Sequence, residues 1–217
     1  MKNIYQPIID LHSDYVLACY KAGEKFKSNK QTNLSMLKKN NVKLLLAGFS
    51  YDDLLKDTET QLAVLHKEIK KNDSLTLITD SKTLANVCNS KNKTGFIIHL
   101  EGAGILNTDM QSFEKMYERG VRSIGLTHSA KNCLASGNKE NPLDHLTKFG
   151  KRVVREIQKR KMILDLAHLN ETGFNEVLNI TQGPIIVSHT CAYKLCPDQR
   201  NLKDSQINDI KDFCQGK

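Results

Sequence analysis

Six short apolar runs, separated by longer segments of helical period, constrain the fold of this 217-residue chain more than any other feature. The predicted strands are residues 4–11, 42–49, 95–100, 121–127, 162–167 and 184–188. Each run is almost continuously apolar, as expected for strands of a parallel sheet that is covered on both faces. Helical spacing of apolar residues predicts amphipathic helices over 52–71, around 153–157 and over 203–214. The alternation predicts an α/β fold.

Two parallel architectures fit this order, an open doubly wound sheet and a barrel. No glycine-rich phosphate loop follows the first predicted strand, which weakens the dinucleotide-binding form of the open sheet. Polar residues at the strand ends favour a barrel, because barrel enzymes build their active sites at the carboxyl ends of the strands. We predict a TIM-barrel-like α/β fold in which about six of the eight β/α units are present, as a single, incomplete barrel domain over residues 1–217.

Composition argues against several classes of protein. The 32 Lys and Arg residues exceed the 24 Asp and Glu residues and give a net charge of +8, but they are spread along the chain without a nucleic-acid motif, so we expect no nucleic-acid partner. The apolar runs are far shorter than the roughly 20 residues that span a bilayer, and no secretory signal is recognisable, so we expect no membrane association and a cytoplasmic location. The six cysteines are irregularly spaced, which favours free thiols.

Five of the six predicted strands end in residues that bind metals or move protons. His12 and Asp14 are two residues apart, so an extended strand would point both to the same face. Further candidates at the other strand ends are Glu101, His128, His168 and His189. A His, an Asp, a Glu and two further His supply the N and O ligands that suit a pair of divalent ions such as Zn²⁺, with a carboxylate able to bridge them.

The three remaining histidines are interpreted differently. His66 lies inside the predicted helix 52–71 and His145 lies in a loop before another helix, so both are expected at the surface. His99 shares the strand parity of Glu101, which predicts an inward side chain one layer deeper and a core or supporting role.

The strand-end motifs resemble those of the membrane (renal-type) dipeptidases, peptidase family M19 of the amidohydrolase superfamily. The resemblance runs from Asp10 to the C-terminus and is carried, in order, by Asp10-Leu11-His12-Ser13-Asp14, Glu101-Gly102-Ala103-Gly104, Gly120-Val121-Arg122, Leu126-Thr127-His128 with Asn132, residues 146–156, Asp165-Leu166-Ala167-His168, Ser188-His189 and Arg200-Asn201-Leu202. The first motif is His-x-Asp, and Glu101 stands where sister families use a modified Lys. Both features favour a dipeptidase over a deaminase or dihydroorotase.

The resemblance implies a zinc-dependent dipeptidase that hydrolyses dipeptides by a metal-bridging hydroxide. It implies two Zn²⁺ per chain, one held by His12 and Asp14 and the other by His168 and His189. Glu101 would bridge the two ions. It also implies that His128 polarises the scissile carbonyl or its oxyanion and that Arg200 binds the free carboxylate of the dipeptide.

Family members continue past residue 217 with two more strands and an Asp that shuttles protons. The resemblance therefore implies an open barrel, which a second copy of the chain or a complementing C-terminal fragment would close. Two alternatives stay open at this point, a non-catalytic remnant that keeps the motifs and a metal-dependent amidohydrolase that acts on another small amide.

Overall fold

The computed structural model describes residues 6–23, 32–49 and 55–215, apart from the side chains of Ala22, Leu55 and Lys56. Its strands are β1 (Ile8–Ser13), β2 (Val42–Phe49), β3 (Leu75–Leu77), β4 (Thr94–Glu101), β5 (Val121–Gly125), β6 (Ile163–Asp165) and β7 (Ile185–Ile186). Its helices are α1 (Tyr15–Ala22), α2 (Leu34–Lys39), α3 (Leu55–Lys71), α4 (Ser81–Asn89), α5 (Met110–Glu118), α6 (Lys148–Lys159), α7 (Glu171–Ile180) and α8 (Asp204–Cys214), with a short 3₁₀ helix at Gly104–Leu106. The chain forms two compact units, one of residues 1–50, 54–100 and 114–123, the other of residues 51–53, 101–113 and 124–217.

The first unit is built on parallel strands. β1 pairs with β2, β2 with β4, and β3 with β4, and in the central pair Ala47 lies opposite Ile98. Every residue of β4 is buried, which explains why its sequence is apolar on both faces. Leu62 and Leu65 of α3 are fully buried, so the helical spacing predicted for this segment is confirmed.

The second unit repeats the pattern with shorter strands. β6 and β7 are parallel, with Leu164 opposite Ile185. On α6 the apolar side chains Val153, Val154 and Ile157 are fully buried, while the Lys and Arg residues of the helix are exposed or half-buried. Among the described residues, no helix combines the length and apolar character needed to cross a bilayer.

The strand prediction was wrong in three respects. It missed β3, whose three residues are too few to show a period. It also ended the first strand two residues early, since β1 runs to Ser13, and made the last three strands too long, because β5 ends at Gly125, β6 at Asp165 and β7 at Ile186. The carboxylate of Asp165 accepts the backbone N–H groups of Ala167 and Ser188, so these groups leave the sheet ladder. Residues 4–5 and 52–54 of the predicted elements lie outside the described part of the chain.

The motif Gly120-Val121-Arg122 has a structural role in the first unit. Gly120 has a φ of 98°, which a side chain would strain. The guanidinium of Arg122 donates to the carbonyl oxygens of Thr79, Tyr117 and Val121 at 2.8–2.9 Å, and it lies 3.9 Å from the centre of the Tyr117 ring. Arg122 therefore ties the start of β5 to the end of α5 and to the segment after β3.

Glu176 on α7 joins three parts of the second unit. Its carboxylate accepts hydrogen bonds from the Leu146 N–H at 2.7 Å and from Lys151 at 2.8 Å, and it contacts His145 at 3.1 Å. Burial alone would raise the pKa of Glu176, but these bonds outweigh burial and lower the pKa to about 2.

Replacing Glu176 with Gln is expected to destabilise the protein by about 1–2 kcal/mol at pH 7. This value is smaller than the free energy equivalent to the full pKa shift, because solvent partly screens the contacts of Glu176 with Lys151 and His145. A carboxyl whose pKa is lowered on folding stabilises the fold above its unfolded pKa of about 4.5 and loses this contribution as the pH falls towards 2. Denaturant unfolding of both proteins at pH 7 and pH 3 measures the difference. An equal loss at both pH values would contradict this explanation.

Candidate metal centre

Three side chains of the second unit converge on one point. The Nε2 atom of His168 lies 3.0 Å from Oε1 of Glu101 and 3.0 Å from Nε2 of His189. The third side of this triangle, from His189 Nε2 to Glu101 Oε1, is 3.3 Å. The side chains of Glu101 and His168 are each only 7% exposed, whereas that of His189 is 31% exposed. The point where the three side chains meet is therefore buried on the side of Glu101 and His168 and open to solvent on the side of His189.

Each of the three residues lies at the end of a strand or shortly after it. Glu101 is the last residue of β4, and Gly102 after it has a φ of 80°, which turns the chain away. His168 and His189 each lie three residues after the end of a strand, β6 and β7. His168 has a φ of 68°, an uncommon conformation for a residue with a side chain and one that clusters at functional sites.

The Nδ1 atoms of His168 and His189, which are not part of the triangle, have polar partners. His168 Nδ1 lies 3.3 Å from Oδ1 of Asn138, and His189 Nδ1 lies 2.8 Å from Oγ of Ser188. An amide oxygen can only accept, so the proton of a neutral His168 sits on Nδ1 and its Nε2 carries a lone pair. Nε2 therefore faces the Glu101 carboxylate as a second acceptor, and a bound cation would satisfy both atoms.

The triangle fits a single metal ion. Ligand atoms about 2.0–2.1 Å from a tetrahedral Zn²⁺ are roughly 3.3 Å apart, close to the 3.0–3.3 Å separations found here. Two imidazoles and one carboxylate form the donor set of many catalytic zinc sites, which keep a fourth position for water or substrate. The residues present therefore fit a divalent metal of borderline softness.

Burial, more than any neighbouring charge, favours the neutral form of His168. Burial lowers its pKa, and the charges of Arg200 and His128 lower it further. The hydrogen bond that a protonated His168 would donate to Glu101, together with the charge of Glu101, raises the pKa by less. Because a protonated imidazole cannot bind a metal, the lowered pKa keeps His168 available as a ligand at neutral pH.

His128 lies beside this site. Its ring centre is 4.4 Å from that of His168, and Glu101, His128 and His168 each offer a ligand atom within 4.8 Å of the others. The loop that carries His128 is packed against Gly137, where an added Cβ would come within 2.2 Å of the His128 carbonyl oxygen. Only glycine fits at this position, so the loop conformation depends on it.

Arg200 lies against the same group of residues. One guanidinium nitrogen donates to the carbonyl oxygen of His189 at 2.7 Å. Burial lowers the pKa of Arg200, whereas the negative charges of Asp165 and Glu101 raise it, and an Arg side chain stays charged at neutral pH. A cavity of about 210 Å³ is lined by Arg200, His168, Asn138 and Tyr193, among others. This space could hold part of a small ligand.

His12 and Asp14 belong to the first unit. His12 lies in β1, and its Nε2 is 3.8 Å from Oδ1 of Asp14. The two side chains lie on the same side of the chain, as their spacing predicted, and both approach Gly48. The strand ends at Ser13, and Asp14 is the residue that precedes α1.

The other histidines differ from the candidates. His99 is fully buried with its Nδ1 2.9 Å from Ser123 Oγ, in agreement with the predicted inward position. The side chain of His145 is 73% exposed, and His66 is half-buried with Nε2 3.0 Å from the Arg119 carbonyl oxygen. Sequence reasoning assigned no role to Asn138, and nothing in its surrounding sequence indicated one.

The parallel α/β strands and the buried His and Glu side chains that follow them are typical of metal-binding α/β barrels. The sequence profile of the membrane dipeptidase family, peptidase family M19, matches residues 3–213. The chain therefore belongs to the membrane dipeptidase family.

Several curated proteins are similar in sequence. An uncharacterized protein in the PQQ-III 3′ region of Acinetobacter calcoaceticus is 33% identical over 162 residues, which cover 72% of this chain and 49% of the relative. Dipeptidase aclJ of Aspergillus oryzae is 28% identical over 76% of this chain and 40% of its own length. Human dipeptidase 3 is 27% identical over 70% of this chain and 31% of its own length. The chain thus spans about half the length, or less, of these relatives.

Solved structures share the fold. A dipeptidase AC of family M19 superposes with a TM-score of 0.85 at 21% identity, covering 96% of this chain and 70% of that one. A metallopeptidase from Rhodobacter sphaeroides, solved with a phosphinate mimic of the dipeptide L-Ala-D-Ala, gives a TM-score of 0.82 at 21% identity, with coverage of 96% and 72%. These likenesses confirm the predicted α/β fold of the TIM-barrel type.

Proposed function

We propose that this chain is the metal-binding part of a zinc-dependent dipeptidase. The observation that carries the proposal is the convergence of Glu101, His168 and His189 at ligand spacing in a member of this family. The dipeptide mimic bound to the Rhodobacter relative supports a dipeptide as the substrate. When bound, the metals would lower the pKa of water and polarise the scissile carbonyl.

The resemblance assigns the remaining roles. His12 and Asp14 would hold one of two Zn²⁺, His168 and His189 the other, and Glu101 would be shared by both. His128 would donate to the oxyanion that forms on the former carbonyl oxygen, where one preorganised donor is worth about 10²- to 10³-fold in rate.

Arg200 would bind the free carboxylate of the substrate. A guanidinium carries five N–H donors, so the bond to the His189 carbonyl leaves capacity for a bidentate carboxylate contact.

Cytoplasmic location and assembly with a second copy or with a C-terminal fragment stay predictions.

Amino-acid release from L-Ala-D-Ala and L-Ala-L-Ala by the purified, zinc-loaded chain tests the proposal. We expect hydrolysis that stops on chelation and returns with zinc. The matched control is His145→Gln, which alters an exposed histidine and should leave the rate unchanged. A folded, zinc-loaded chain without hydrolysis would overturn the assignment of dipeptidase activity to this chain and favour the non-catalytic alternative.

A further inference from the structure

Asp165 is a fixed, buried acceptor behind the metal centre. It is 1% exposed, and its Oδ1 accepts the backbone N–H groups of Ala167 and Ser188, each at 3.0 Å. These two bonds set the orientation of the carboxylate. Its second oxygen, Oδ2, faces the hydroxyl of Ser188.

The chemistry of Asp165 and Ser188 determines which group donates in each hydrogen bond between Asp165, Ser188 and His189. A carboxylate can only accept, so the Ser188 hydroxyl donates its single proton to Asp165. The Ser188 oxygen must then accept at its contact with His189 Nδ1, 2.8 Å away. That contact requires a proton on Nδ1, which leaves the lone pair of His189 on Nε2.

We propose that Asp165 and Ser188 form a relay that fixes the tautomer of His189 and presents its Nε2 lone pair to the metal. Asp165 and Ser188 are positioning residues that act through His189. The inference rests on the proposed function, because it assigns a metal to the triangle of Glu101, His168 and His189. Partners of this kind, one step behind a ligating histidine, are typically worth about 10- to 100-fold in metal affinity.

The relay makes a specific prediction for Asp165→Asn. The Asn oxygen can still accept from the Ala167 and Ser188 N–H groups, so its amide nitrogen takes the place of Oδ2 and donates to the Ser188 oxygen. The Ser188 proton then turns to His189 Nδ1, which becomes an acceptor. The His189 proton moves to Nε2, where it points at the other ligands and blocks metal binding.

Nitrogen-15 NMR of the metal-free protein at neutral pH reads the tautomer directly. We expect the His189 ring to carry its proton on Nδ1 in the parent and on Nε2 in Asp165→Asn, with the signal assigned by its loss in His189→Gln. Zinc competition with a chelator should show a loss of affinity of about 10- to 100-fold in Asp165→Asn and Ser188→Ala. Ser188→Thr, which keeps the hydroxyl, should retain most of the affinity.

The control is a second Ser–Asp pair in the same unit. Ser136 Oγ donates to Asp144 Oδ2 at 2.7 Å, so Ser136→Ala removes the same type of bond without touching His189. Zinc affinity in that variant should equal the parent value. An Nε2-protonated parent, or an unchanged tautomer and zinc affinity in folded Asp165→Asn and Ser188→Ala, would overturn the relay. A parent that shows the expected tautomer but binds no zinc would instead contradict the proposed function.

Discussion

Replacing Glu101 with Gln is expected to abolish zinc binding and yet leave the metal-free protein at least as stable as the parent. In the parent, the Glu101 oxygen and the His168 and His189 nitrogens are three acceptors within 3.3 Å of one another. A Gln amide can donate to one of these nitrogens, which relieves the crowding, but it removes the negative charge that the cation needs. The proposed bridge would be lost from both ions at once.

Thermal unfolding with and without zinc measures this effect. At a free zinc concentration of about 100 times Kd, binding should stabilise the parent by roughly 2.7 kcal/mol, or about 5–10 °C in Tm for a chain of this size. Glu101→Gln should show no zinc-dependent shift. The matched control, Glu176→Gln, should lower Tm but keep the shift, because that carboxylate lies outside the metal centre. A full zinc shift in Glu101→Gln would contradict the assignment of Glu101 as a ligand.

Arg200→Met is expected to lower kcat/KM for a free-acid dipeptide by roughly 30- to 4,000-fold, the effect of about 2–5 kcal/mol that follows when one partner of a desolvated charge pair is removed. The same substitution should not change the rate for a C-terminally amidated dipeptide, which has no carboxylate to bind. Free-acid and amidated substrates, each with parent and variant, form a double-mutant cycle that isolates this contact.

Lys203→Met is the control for charge. Lys203 lines the same cavity, but its ammonium is paired with Glu171 at 2.7 Å. We expect a small change in kcat/KM for both substrates. Equal losses on free-acid and amidated dipeptides in Arg200→Met would rule out the carboxylate contact. Zinc content should be measured in parallel, since Arg200 also bonds to the His189 backbone.

The sequence predicted most of the fold because long apolar runs and helical periods are strong signals. β2 and β4 were placed almost to the residue, and α3, α6 and α8 were found. β3 was missed because a three-residue strand has no measurable period. The short helices α1, α2, α4, α5 and α7 were missed because each repeats its pattern too few times.

The ligands of the candidate site could be predicted from the sequence, but the residues that bond to them could not. Placing Glu101, His168 and His189 after parallel strands predicted that they could meet, because strand ends converge. The partners behind them depend on loop conformations that no local pattern encodes. Asn138 reaches His168 from 30 residues earlier in the chain. Asp165 and Ser188 were visible as neighbours of the predicted ligands, but their hydrogen bonds follow from the early ends of β6 and β7.

X-ray absorption at the zinc edge of the loaded protein tests the central claim most directly. All six cysteines carry free thiols, and Cys191 and Cys196 are exposed close to His189 in sequence, so thiolate binding is the competing way to hold zinc. The account predicts nitrogen and oxygen ligands at about 2.0–2.1 Å with the multiple scattering of imidazole, and the loss of this signal in Glu101→Gln. Sulfur ligands at about 2.3 Å, or a signal unchanged in Glu101→Gln, would contradict a metal centre built on Glu101, His168 and His189.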